Sequence, residues 1–282
     1  MPEFSTPTPI DLALNVQVGE ITVIASDRTD TVVTVSPTDP GKAADRRGAE
    51  QTTVVLEGTR LTVTGPKPRI AVFGPTESVD VVIALPSGSR LTAEVAVGGL
   101  TTTGRLGATR IKCSMGAVDL EQTGDLWVRA GHGSVSVAGI DGAAEITADH
   151  GQIRLGAVAA VAVLKASHGS VSVDEVGGDL DARLSYGELV VGSALASVTA
   201  KSSYGGIALG EVSGGSIAAD SSFGAISIGI REGVPVWLDL ASKEGRVRNE
   251  LETDGAQPAP GEPSVAVRAR TQFGTITIRR AR

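Results

Sequence analysis

Three histidines, His132, His150 and His168, recur at intervals of 18 residues, and each stands directly before a glycine. Imidazole is a common metal ligand and titrates near neutral pH, so three in one repeated position are the first candidates for a metal or proton site. A ligand nitrogen must lie about 2.0–2.1 Å from zinc. Consecutive β-strands are about 4.8 Å apart, so three histidines on successive strands span about 9.6 Å and at most two share an ion. The same position holds Met115 before the histidines and Tyr186, Tyr204 and Phe223 after them. The repeated requirement is therefore a flat or bulky side chain, and a stacking column is the favoured reading over a metal site.

A second column lies four residues before each glycine: Lys112, Arg129, Thr147, Lys165, Arg183, Lys201 and Asp220. Lys112, Arg129, Lys165, Arg183 and Lys201 give it a positive stripe that suits an anionic polymer, a headgroup or an acidic partner. The competing reading is a solvated strand face, with Glu145 and Asp181 balancing the charge, and that reading is favoured. A third column, two residues before the glycine, is small and polar, including Ser203 and Ser222.

Catalytic constellations are not evident. Asp119, Asp149, Asp174, Asp179, Asp181 and Asp220 fall in different columns, so stacking does not bring a carboxylate pair to glycosidase spacing. Phosphate-loop, H-E-x-x-H, G-x-S-x-G and C-x-x-C signatures are missing. Cys113 is the single cysteine, at an inward position, and reads as a small buried hydrophobe. The chain is expected not to be an enzyme and to need no cofactor.

The element that positions these residues is a repeat. Glycines 116, 133, 151, 169, 187, 205 and 224 are separated by 17 to 19 residues, a period too regular for a sandwich and typical of a solenoid. After each glycine come two aliphatic columns, Val118, Val135, Ile153, Val171, Leu189, Ile207 and Ile226, then Leu120, Val137, Leu155, Val173, Val191, Leu209 and Ile228. A further column five residues before it runs from Ile111 through Ile146 to Ala219. Period-two alternation makes these strands, and no rung buries its own apolar face, so neighbouring rungs must pair in parallel. The expected fold class is all-β: a single-chain parallel β-solenoid with about 18 residues per rung and irregular β caps at both ends.

Three regions follow: an N-terminal β region and cap over 1–97, regular repeats over 98–230, and C-terminal rungs and cap over 231–282, read as one continuous domain. In the first, strands are expected at 12–18, 21–25, 31–36, 52–56, 60–64, 79–85 and 90–96, with a short helix around 42–50 and a loop at 65–78. In the last, 236–240 alternates, 251–263 is a loop, and Phe273-Gly274-Thr275-Ile276-Thr277-Ile278 repeats the rung motif.

Composition agrees with stacked rungs. The chain has 282 residues, 36 Gly and only eight aromatics, with 41% hydrophobic residues and a mean hydropathy of +0.13. Those values exclude disorder. A net charge of −7 and a pI near 5.1 argue against nucleic acid as a partner. The longest apolar run, 157–164, is too short for a membrane span. With a polar, proline-rich start and no apolar export segment, a cytoplasmic location is expected.

The motifs His-Gly-Ser-Val-Ser-Val at 132 and 168, Tyr-Gly-Glu-Leu-Val-Val at 186 and Phe-Gly-Ala-Ile-Ser-Ile at 223 resemble a bacterial family of β-strand-repeat proteins, described as putative adhesins and as a domain of unknown function. The likeness runs from about Ile10 to Arg279. It implies a β-repeat architecture and a link to the cell envelope or to adhesion-like binding, and it supplies no catalytic residues. The leading expectation is a non-enzymatic interaction or scaffold protein that binds another protein or a second copy of itself. The alternative is a protein binding an anionic polymer, a carbohydrate or a metal.

Overall fold

A computed structural model describes residues 2–66, 77–251 and 264–281. The chain is almost entirely β-strand, with one short helix at Ala43–Gln51, and it divides into two compact units, Met1–Gly139 and Ile140–Arg282. Both are built as the repeat requires, from strands running in parallel along two sheets with the aliphatic columns between them.

In the second unit one sheet takes the strand that precedes each corner glycine, in the order Ala144–His150, Ala162–His168, Leu180–Tyr186, Val198–Tyr204, Gly215–Phe223, Val265–Phe273, Val236–Glu244. The other takes the strand that follows it, in the order Ile153–Val158, Val171–Val176, Leu189–Ala194, Ile207–Val212, Ile226–Ile230, Ile276–Arg280, Val247–Asn249. Register is kept from rung to rung: Leu189 faces Ile207, which faces Ile226, which faces Ile276. Every member of the three expected aliphatic columns is buried. Full burial of such a side chain stabilises by roughly 1.5–3 kcal/mol, and the ladders carry most of the fold.

The last two rungs do not stack in chain order. Val265–Phe273 lies next to Gly215–Phe223, and Val236–Glu244 is displaced to the sheet edge. The side chains explain the exchange. Both rungs end in a corner glycine, Gly274 and Gly245, but the Val265 rung has an aromatic at Phe273 and the buried set Val265, Val267 and Ala269. Val236–Glu244 carries Glu244 at the aromatic position and Asp239 and Lys243 on its length, which suits an edge that must discourage further pairing.

The first unit follows the same plan. Asp11–Val18 pairs in parallel with Arg90–Val97, which continues through Thr109–Met115 to Leu126–His132, while Ile21–Ser26 pairs with Leu100–Arg105. Residues between these rungs form the cap. Asp30–Pro37 pairs antiparallel with Val79–Pro86, and Thr53–Glu57 forms an antiparallel hairpin with Arg60–Thr64. All seven strands and the helix anticipated in this region are present within two residues. The sequence reading lacked the strand Glu3–Ser5, which pairs with Asp30–Pro37, and most of the expected loops at 65–78 and 251–263 lies outside the described residues. Among those residues no helix is long and apolar enough to cross a membrane.

Candidate binding face

Each rung turns at its glycine, and the turn determines what the neighbouring side chains can do. Gly187 has φ +133° and Gly205 φ +147°, a region that L side chains rarely adopt. A β-carbon on Gly205 would lie 1.9 Å from the carbonyl oxygen of Gly187, so the corners stack backbone on backbone. Each corner N–H donates to the carbonyl of the ring residue on the next rung: Gly169 to Tyr186, Gly187 to Tyr204, Gly205 to Phe223 and Gly224 to Phe273, at 2.9–3.0 Å. The corner ladder thus places the residue before each glycine at a fixed spacing.

The result in the second unit is a continuous column of rings. His150, His168, Tyr186, Tyr204, Phe223 and Phe273 stack with centroids 4.8–4.9 Å apart and planes within 9° of parallel. The rings are exposed, Tyr186 and Tyr204 at 48%, and they form a rigid ridge whose faces are taken up by one another. A metal bound by imidazole lies in the ring plane, and the parallel planes of His150 and His168 have no common line along which one ion could sit. His132 belongs to the first unit, in register with Met115. Among the described residues no group of three or more His, Cys, Asp or Glu is arranged to hold a metal.

Beside the ridge runs the basic column. In the second unit its register is Lys165, Arg183, Lys201, Asp220, Arg270 and then Ala241. Lys112 and Arg129 stand in register with each other in the first unit, where the Lys112 ammonium meets Glu94 at 2.8 Å. Arg183 is held by Asp181, donating to both carboxylate oxygens at 3.1 and 2.9 Å, which raises its already high pKa. Arg270 donates to Asp239 at 3.1 Å. Lys165, Lys201 and Lys243 form no ion pair among the described residues.

Between the basic column and the serine column a groove of about 660 Å³ runs across the strands, lined by Arg183, Lys201, Ser203, Asp220, Ser222, Lys243, Arg270 and Gln272. The floor is formed by the inward residues of the same rungs. There Ser221 donates its hydroxyl to the Gly205 carbonyl at 3.1 Å, Thr271 to that of Gly224 at 3.1 Å and Ser242 to that of Gly274 at 2.9 Å. Cys113 occupies the corresponding place in the first unit, its Sγ 3.6 Å from the Gly98 carbonyl, and burial pushes its thiol pKa up. Ser202 is the exception, with a buried hydroxyl that has no partner among the described residues.

The sequence reading placed Arg183 and Lys201 on this face and left out Arg270 and Lys243. Arg270 stands four residues before Gly274, so extending the column to the rung already recognised at Phe273-Gly274 would have found it. Lys243 stands two residues before Gly245, in the serine column, so extending that column to the Glu244-Gly245 corner finds it as well.

Solved structures with a similar course include putative adhesins from Parabacteroides merdae ATCC 43184, at 14% identity and a TM-score of 0.32 over 100% of this chain and 95% of that one, and from Parabacteroides distasonis ATCC 8503, at 11% and 0.31 over 98% and 95%. A third, from Bacteroides fragilis NCTC 9343, has 10% identity and a TM-score of 0.27 over 99% and 95%. Likenesses this loose bear on neither the site nor its ligand. No curated protein matches the chain. The family model that does match spans residues 10–279, nearly the whole of the solenoid just described, and the chain belongs to the Toastrack DUF4097 family.

Proposed function

We propose that the chain is a non-enzymatic binding protein, a solenoid scaffold that engages its partner through the outward face carrying the ring ridge and the basic column of the second unit. The observation that carries this reading is the ridge itself: six rings, exposed, parallel and evenly spaced, held by the corner hydrogen bonds. The ring faces stack on one another, but the ring edges left exposed gain nothing by burial in the free protein, and rigid aromatic side chains flanked by charge are the anchors that binding faces use.

The test compares the wild-type chain as bait with a ridge variant, Tyr186→Ser with Tyr204→Ser, and with Val190→Ser, an exposed residue on the other sheet. The reading expects a stoichiometric partner that the ridge variant loses and the Val190 variant keeps, with both variants melting cooperatively. Equal capture by all three, or turnover of a substrate by the purified chain, overturns it.

A further inference from the structure

We propose that the groove beside the ridge binds an extended acidic polysaccharide, taking its sulfate or carboxylate groups on Lys201 and Lys243 and its hydroxyls on Ser203, Ser222 and Asp220. The proposal rests on the reading of this face as the binding face and names the chemistry it receives.

Charge comes first. The protein carries −7 overall, yet the groove is lined by four cations against one carboxylate, a local reversal of sign. Two of the four, Arg183 and Arg270, are held by Asp181 and Asp239, which leaves the ammonium groups of Lys201 and Lys243 to a ligand. Extent comes next. The groove crosses five strands, from Leu180–Tyr186 to Val236–Glu244, or about 19 Å at the strand spacing, more than one small anion can span. Lys201 and Lys243 lie three strand spacings apart, about 14 Å, so the ligand that engages both carries anionic groups at least that far apart.

Sugar is favoured over nucleic acid by the walls. Single-stranded nucleic acid binds by stacking bases on open aromatic faces. Here the ring faces are closed by one another at 4.9 Å, and only their edges reach the groove side. What the walls offer instead are hydroxyls and the Asp220 carboxylate, which pair with the donors and acceptors of a hydroxyl-rich chain and have no use for a base plane.

The experiment measures binding of the full chain to dextran sulfate, polygalacturonate, neutral dextran, inorganic sulfate and single-stranded DNA at about 0.15 M salt. The groove variant is Lys201→Ala with Lys243→Ala. The control, Lys112→Ala with Arg129→Ala, removes the same charge from the first unit. Binding to dextran sulfate or polygalacturonate that falls at least tenfold in the groove variant and less than twofold in the control supports the proposal, and which polymer binds identifies the oxyanion. It is overturned by an equal fall in both variants, by equal binding of neutral dextran, by inorganic sulfate alone binding as tightly as the polymer, by tighter binding of DNA through the same lysines, or by no polymer binding. If no polymer binds while the ridge variant still loses its partner, this proposal fails and the binding-face reading stands.

Discussion

Ser202 shows how narrowly a single atom is placed in this repeat. Three equivalents, Ser221, Thr271 and Ser242, donate their hydroxyls to the corner carbonyl of the adjacent rung, and the Ser202 hydroxyl is buried without a partner among the described residues. An unsatisfied buried hydroxyl costs about 1–3 kcal/mol, whereas a satisfied one contributes about 1 kcal/mol. Ser202→Ala is therefore expected to raise the melting temperature and Ser221→Ala to lower it, as followed by thermal denaturation; the same sign for both would show that the two sites do not differ. The corner glycines are less forgiving. Gly187→Ala combines φ +133° with a β-carbon 2.2 Å from the Gly169 carbonyl, and it is expected to destabilise by about 3 kcal/mol or more in chemical unfolding. The glycine column was legible in the sequence because no other residue type meets that turn. The failure of Ser202 to find its acceptor was not, since it depends on one rotamer.

At the scale of the element, regularity was readable and order was not. A rung of about 18 residues exposes its logic through period-two alternation, and each column inferred from it is buried or exposed as expected. Rung order depends on which strand best completes its neighbour. The Val265 rung, with its aromatic and buried aliphatic set, displaces the Val236 rung, whose ring position holds Glu244, to the edge. In the first unit, two ion pairs, one between rungs and one at the cap, give stability that is sensitive to acid. The Asp11 carboxyl is held below the usual carboxylate range by hydrogen bonds from Arg90, one of them 2.7 Å, and Asp30 is held down likewise by Arg28 at 2.8–2.9 Å. Groups lowered in the folded state contribute stability that is present above the unfolded pKa of about 3.9 and is lost as pH falls through the folded value. Asp11→Asn with Asp30→Asn is expected to be less stable than wild type at pH 7, with the difference shrinking below about pH 4 in denaturation measured across pH. A difference that stayed constant with pH would show that the carboxylate charge contributes nothing.

For the whole molecule, the interior is filled by aliphatic ladders and the chemistry is displayed outside, in columns one residue wide. Such a surface presents many weak contacts in register, which suits a long partner better than a small substrate. The sequence exposed the columns but not the groove between two of them, because a groove requires knowing how far each strand bends before its corner and that Lys243 sits beside Arg270's rung. The claim that this face binds an acidic polysaccharide is tested most directly by a lysine footprint: the chain is acetylated with and without dextran sulfate, and each lysine is read by mass spectrometry. The account predicts strong protection of Lys201 and Lys243, with Lys112 and Lys165 labelled as before. Uniform labelling of all four, or protection centred on Lys112, would contradict it.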